Sequence, residues 1–243
     1  MPGPVWLVLP TYNEAENIEA LVEAVLAALA PAAPDGFRVL IVDDSSPDGT
    51  GELADALAAS HESVEVLHRA VREGLGPAYL AGFGHALDGG AGCVCQMDAD
   101  FSHDPSDLPR LLGAIAAGAD VALGSRYVAG GRVEDWGLLR RVVSRAGCSY
   151  ARRVLGLHVR DLTGGFKCFR REVLESIQLK TVRSHGYVFQ VELTQRAVLR
   201  GFNVIEVPIA FRDRRRGHSK MSPRIAVEAF VVLPQLRWRS QFH

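Results

Sequence analysis

Cysteine is scarce in this sequence: Cys93, Cys95, Cys148 and Cys168 are the four, without the paired spacing of a metal finger. Cys93 and Cys95 lie in an apolar run, so reduced core residues of a cytosolic protein are expected. No apolar run is long enough to cross a bilayer as a helix. The start, PGPVWLVLPTYNE, lacks the basic residues and long apolar stretch of a secretory leader. His103, His185 and His218 lack metal-ligand spacing, and neither a Ser-His-Asp order nor a nucleophile elbow supports a hydrolase. The first apolar run leads into PTYNE instead of a glycine-rich turn, which speaks against a dinucleotide-binding dehydrogenase.

Basic residues are nearly missing from the first half. Residues 1–121 hold 4 Lys and Arg against 19 Asp and Glu, whereas residues 122–243 hold 23 against 9. The net charge of −1 hides that asymmetry. Either two solvated faces neutralise each other, or an acidic metal-and-nucleotide half joins a half that meets anionic groups. With 243 residues, 48% hydrophobic and 23% charged, the chain can bury a core as one large domain. Disorder, collagen-like repeats and a disulfide scaffold are excluded by the same balance.

Short β-rich runs alternate with helical patterns through the first half. Strands are expected at Val5–Leu9, Phe37–Val42, Val64–Leu67, Val94–Met97 and Val121–Leu123. Helices are expected at Glu14–Ala30, Gly51–Ala59, Ala78–Leu87 and Pro105–Ala117. That alternation indicates a mainly parallel sheet flanked by helices. In such sheets ligands bind beyond the carboxyl ends of the strands. The second half is less regular, with helices at Leu139–Leu155, Arg171–Ile177, Tyr187–Arg200 and Pro223–Leu236 and a strand at Val204–Val207. HVRDLTGGFKCF reads as a loop. We expect a domain over 1–221 and an amphipathic extension over 222–243.

Polar clusters fall where the sheet would bind. Asp98-Ala99-Asp100 leaves a buried strand, and two carboxylates at i and i+2 can face one side and hold Mg²⁺ or Mn²⁺ on a diphosphate. A solvated loop or helix cap is the plainer alternative. Asp43 and Asp44 could face a base or ribose, while Ser45, Ser46, Pro47, Asp48 and Gly49 form a turn. Tyr12 could stack on a base and Glu14 hydrogen-bond it, with Thr11 or Asn13 as a simple helix cap. Arg212, Arg214, Arg215, Arg216 and Lys220 form the densest basic cluster, either solvated or folded over a phosphate. Lacking interleaved aromatics, it does not suggest nucleic acid. The basic helix at 139–155 and the C-terminal segment with Trp238 and Phe242 combine charge with apolar faces, suited to core packing or an interfacial seat.

Eight segments, in order, carry a family resemblance: LPTYNEAEN (9–17), VDDSSPDGT (42–50), GLGPAYLAGF (74–83), MDADFSHDP (97–105), GSRYVAGG (124–131), DLTGGFKCFRREVL (161–174), GYVFQVEL (186–193) and VPIAFRDRRRGHSKM (207–221). The chain resembles the family-2, GT-A-fold glycosyltransferases, and within them the polyprenol (dolichol) phosphate mannosyltransferases. The resemblance implies a GT-A-type α/β fold and inverting transfer of mannose from GDP-mannose to a polyprenyl monophosphate. It implies that Pro10, Tyr12, Glu14, Val42 and Asp44 line the nucleotide, and that Asp98, Ala99 and Asp100 form the metal and nucleotide segment. Arg126, Arg214 and Lys220 would hold the phosphates, with Asp100 and these three as the catalytic set. Relatives often carry a Gln ligand two positions beyond Asp100; here Ser102 stands there, with water as the alternative ligand. Mg²⁺ or Mn²⁺ is the implied cofactor. A peripheral place on the cytoplasmic face of a membrane, with or without a separate membrane-protein partner, is the implied setting. UDP-glucose or another donor on the same acceptor is the nearest alternative, and a catalytically silent nucleotide-sugar-binding subunit a more distant one.

Overall fold

A computed structural model describes residues 3–184, 186–213 and 232–238. The elements are β1 (Val5–Thr11), α1 (Ile18–Ala32), β2 (Phe37–Asp43), α2 (Thr50–Ser60), β3 (Val64–His68), α3 (Leu75–Asp88), β4 (Cys93–Gln96), α4 (Leu108–Ala116), β5 (Val121–Ser125), β6 (Arg132–Val133), α5 (Leu138–Leu155), β7 (Lys167–Arg170), α6 (Arg171–Ser176), α7 (Gly186–Leu199), β8 (Val204–Pro208) and β9 (Ala210–Phe211). Seven strands form one sheet in the order β3-β2-β1-β4-β7-β5-β8, and β6 pairs with β9 apart from it. The expected strands and helices within the described residues all occur, with ends shifted by a few residues.

Every residue of β1, β4 and β5 is buried, as expected of strands covered on both faces. Side chains alternate between faces along β1. Trp6 and Val8 join Val42, Tyr79, Phe83 and Phe189 on the side of α3 and α7. Val5, Leu7 and Leu9 join Ile18, Leu21 and Leu111 on the side of α1 and α4. Each such fully buried side chain contributes about 1.5–3 kcal/mol. At Gly82 an added methyl would collide with Val8, so glycine there lets α3 lie close on β1.

β7 departs from the expectation, since its residues read as a loop. It runs antiparallel between β4 and β5, while β1, β2, β3 and β4 pair in parallel and β8 pairs in parallel with β5. Four residues long and charged at both ends, by Lys167 and Arg170, it lacks the apolar run that marks β1, β2 and β5. Its insertion also changes the cysteine reading. Cys95 and Cys168 are register partners across β4 and β7, and their sulfurs are bonded as a disulfide. The reduced-core expectation thus holds for Cys93 and fails for Cys95; Cys148 is likewise free and buried.

Of the expected C-terminal helix, residues 232–238 are described and helical; its earlier residues lie outside the described ones. Leu233 and Leu236 enter the core beside Leu155 of α5, and Arg237 donates to the Val154 carbonyl.

Candidate active site

β2, β1 and β4 run in parallel, so their carboxyl ends share one edge of the sheet; antiparallel β7 brings its preceding loop to the same edge. A cavity of about 330 Å³ opens there. Pro10, Tyr12, Glu14, Asp44, Asp98, Ala99 and Asp100 line it, bringing together seven residues that the sequence nominated.

At the β1 end, Thr11 and Asn13 do not cap α1, which starts later, at Ile18 behind Asn17. Thr11 Oγ1 instead donates to Asp43 Oδ1 at 3.2 Å. Glu14 accepts from Asn17 Nδ2 at 2.8 Å, and its backbone N–H donates to Thr50 Oγ1 at 2.9 Å. Arg72, absent from the nominated set, places its guanidinium 3.8 Å over the Tyr12 ring and lines the cavity.

Asp43 and Asp44 part company. Asp43 accepts from Ser46 through backbone N–H and hydroxyl at 3.1 and 2.5 Å, so it builds the turn and does not line the cavity. Asp48 accepts from Thr50 Oγ1 at 2.6 Å; burial opposes its charge, but the Thr50 and Ala15 hydrogen bonds bring its pKa below the usual carboxylate value. Asp44 faces the cavity, held by the Gly74 N–H at 2.8 Å and by the Arg69 guanidinium. Val42 is buried in the core near Val8 and Gly82, not in the cavity wall.

Asp98 and Asp100 follow β4 at the middle of the edge. Asp98 Oδ1 accepts from Tyr79 at 3.1 Å, and Oδ2 lies 3.7 Å from His103 Nε2. Buried Tyr79 has its pKa pushed well above the ordinary phenol value, by burial first and then by the Asp98 charge. Gly165 packs on this carboxylate so closely that an added Cβ would lie 3.3 Å from Oδ2. Asp100 Oδ1 accepts the Ser102 backbone N–H at 3.0 Å. Ser102 is buried behind Asp100, outside the cavity wall. Hard oxygen donors of this kind suit a divalent cation that completes its shell with phosphate oxygens and water. Among the described residues no group of three or more His, Cys, Asp or Glu forms a metal site unaided.

Arg126 is buried beyond β5 and lies outside the cavity wall. Asp161 accepts from its Nε at 2.7 Å, its Nη2 at 2.6 Å and its backbone N–H at 2.9 Å. Nη2 also donates to Thr163 Oγ1 at 2.8 Å, and Thr163 does line the cavity. Burial works against the Arg126 charge, yet Asp161 raises its pKa above the ordinary guanidinium value. Arg214, Arg215, Arg216 and Lys220 lie outside the described residues.

Thr11 and the start of α3 (Gly74, Leu75, Ala78) add to the wall, and its far side comes from Thr163, Gly165, Gly186, Tyr187 and Gln190, which had no individual role assigned from the sequence. A signal existed for Gln190, an amide flanked by Val188, Phe189 and Val191 on a helix buried over most of its length.

The mainly parallel sheet flanked by helices is the GT-A fold. The chain belongs to glycosyl transferase family 2, whose model matches residues 6–178. It is 50% identical over 217 residues to polyprenol monophosphomannose synthase of Mycolicibacterium smegmatis, covering 89% of this chain and 80% of that protein. It is 46% identical to undecaprenyl-phosphate mannosyltransferase of Micrococcus luteus, covering 96% and 93%. Identity to dolichol-phosphate mannosyltransferase of Pyrococcus furiosus is 36%, covering 98% of this chain and 65% of that protein. Among solved structures, glucosyl-3-phosphoglycerate synthase of Mycobacterium tuberculosis aligns with a TM-score of 0.73 at 19% identity, covering 98% and 81%. A likeness at that identity speaks for the fold alone.

Proposed function

We propose that this family-2 glycosyltransferase moves mannose from GDP-mannose to a polyprenyl monophosphate with inversion, giving polyprenyl phosphate mannose and GDP. The observation that carries the reading is the cavity itself: Tyr12, Glu14 and Asp44 at one end and Asp98 with Asp100 at the middle. The relatives' names supply the sugar and the lipid. Their acceptors are polyprenyl phosphates, and a phosphate monoester needs no protein base, because its second pKa is about 6 and it is largely ionised at neutral pH. One of its oxygens attacks the anomeric carbon, the bond to the diphosphate breaks, and GDP leaves with the electron pair.

Charge management is then the protein's task. Tyr12, Glu14 and Asp44 take the nucleoside, with Pro10 and Ala99 shaping its bed. Asp98 and Asp100 would hold Mg²⁺ or Mn²⁺, with water instead of Ser102, which lies outside the cavity wall, completing the set. A bound cation of this kind neutralises the leaving diphosphate. Arg126, Arg214 and Lys220 are assigned to the donor and acceptor phosphates. For Arg126 the bonds to Asp161 and Thr163 use Nε and both Nη2 protons, so a phosphate contact would fall to Nη1.

The acceptor is a membrane lipid, and among the described residues no helix is long and apolar enough to cross a bilayer. We assign a peripheral seat on the cytoplasmic face to α5, which exposes Leu138, Leu139, Val142 and Val143 beside Arg141, Arg145 and Arg153. A separate membrane-protein partner could share this face.

The test is a transfer assay with GDP-mannose and UDP-glucose as separate donors, a short polyprenyl phosphate, Mn²⁺ or Mg²⁺, and an Asp100→Ala control. Mannolipid from GDP-mannose alone, lost in the control, is expected. Transfer from UDP-glucose alone would overturn the mannosyl assignment and keep the class.

A further inference from the structure

Gln190 on α7 forms part of the cavity wall yet is 1% exposed. Its Oε1 accepts from Lys167 Nζ at 3.0 Å and from Gln96 Nε2 at 2.6 Å. The Gln96 atom that faces Gln190 also faces the Gly165 carbonyl, at 2.9 Å, and so must be its amide nitrogen. That makes the Gln190 atom opposite it the oxygen, and a charged lysine at the same oxygen agrees with this. Gln190 Nε2 is therefore directed away from Lys167. Buried, it finds no acceptor among the described residues. An amide N–H left in that state costs about 1–3 kcal/mol.

Lys167 is fully buried and makes a second bond, to the Gln190 backbone carbonyl at 2.8 Å. Gln96 and Lys167 are register partners across β4 and β7. The network thus joins the strand that leads to Asp98, the Gly165 loop that packs on Asp98, and the helix that carries Gln190. A buried lysine and a buried glutamine both act on the orientation of one cavity-wall amide.

Sheet order decides what that amide meets. Asp44 follows β2, Tyr12 follows β1, Asp98 and Asp100 follow β4, and Gly165 precedes β7. A nucleoside at the β2 and β1 end with its diphosphate at Asp98 and Asp100 sends the sugar towards Gly165, Tyr187 and Gln190. Since Oε1 is occupied, Gln190 can only donate, and a sugar hydroxyl oxygen accepts.

We propose that Gln190 positions the donor sugar, its Nε2–H donating to a hydroxyl of the nucleotide-linked hexose, with Lys167 and Gln96 as the groups that aim it. The inference rests on the nucleotide-sugar reading above. Calorimetric titration of the full chain with Mn²⁺ and either GDP-mannose or GDP tests it. In Gln190→Leu the preference for GDP-mannose over GDP should fall about tenfold, the loss of roughly one hydrogen bond. Gln190→Glu should fall likewise; it removes the N–H while keeping an acceptor for Lys167, and so decides the matter if Gln190→Leu does not fold. Lys167→Met, which keeps the N–H but frees its orientation, should lose less. An unchanged preference in a folded Gln190 variant overturns the assignment, as does a loss confined to the KM for polyprenyl phosphate. If the wild type binds UDP-glucose instead of GDP-mannose, the mannosyl reading fails, and the same titrations with UDP-glucose and UDP decide the role of Gln190. A wild type that binds neither overturns both.

Discussion

From inside the core, Tyr79 donates its hydroxyl to Asp98 Oδ1 at 3.1 Å, holding a carboxylate that is otherwise on the cavity surface. Phe83 and Phe189 stack beside the Tyr79 ring at 5.8 and 6.1 Å, so the phenol has little freedom to turn. Its raised pKa keeps it a donor through the neutral range. Groups that orient a metal ligand affect metal affinity by about 10–100-fold. Tyr79→Phe, which preserves the stack, should weaken Mn²⁺ binding in the presence of GDP by about tenfold. Calorimetry on the two proteins checks this, and equal affinities would show that Tyr79 does not orient Asp98 for the metal.

Asp161 and Arg126 make a buried, doubly hydrogen-bonded pair. Removing one partner of such a pair costs about 3–5 kcal/mol, because the other charge stays buried. Asp161→Asn should lower unfolding stability at about pH 7 by that order, read by urea denaturation. Burial alone would raise the Asp161 pKa, but Arg126 brings it below the ordinary carboxylate value. Its stabilisation is therefore present above the unfolded-state pKa of about 3.9 and lost as pH falls through the lower folded value. The wild type should lose more stability than Asp161→Asn on acidification from about pH 5 to about pH 2. Parallel acid curves would contradict the assignment.

Lys167 acts in an alkaline window with the same sign. Burial pushes its pKa down to about 7, with Asp161 opposing. The unfolded chain then binds more protons between that value and the ordinary lysine pKa of about 10.4, so stability contributed at this position rises with pH across the interval. Below it, both states are charged and the burial penalty is fully present. Relative to Lys167→Met, the wild type should gain stability between about pH 7 and about pH 10, measured by denaturant midpoints. A constant difference would mean that the amine keeps its ordinary pKa.

The contrast between Asp98 and Gln190 shows what was legible in the sequence. Asp98 and Asp100 stand out because an apolar run stops and acids begin, and that boundary is local. The strands β1, β2, β4 and β5 are legible for the same reason, their burial on both faces leaving unbroken apolar runs. β7 is short, and its antiparallel place between β4 and β5 is fixed by long-range pairing that no local pattern records. Thr163, Gly165 and Gln190 reach the cavity only because β7 and α7 are placed there. Arg69 and Arg72 look like ordinary surface charges until the turn after β3 carries them to Asp44 and Tyr12.

α5 carries the last prediction. Only Cys148, Ala151 and Leu155 of its 18 residues are fully buried, so its first turns pack little against the core. Leu138 and Leu139 are 79% and 78% exposed, beside exposed Arg141. Apolar side chains next to arginines match an anionic bilayer, where the leucines enter the interface and each arginine near the surface adds about 1 kcal/mol. Exposed Trp238 suits the same interfacial role. Replacing Leu138 and Leu139 by serine should reduce sedimentation with vesicles rich in anionic lipid by about tenfold, since two leucine side chains leave the lipid. Turnover on a water-soluble, short-chain polyprenyl phosphate should stay unchanged, because neither leucine lines the cavity. Retained vesicle binding in the double variant would move the membrane contact off α5, and a second variant, Trp238→Ser, would then show whether the C-terminal helix carries it.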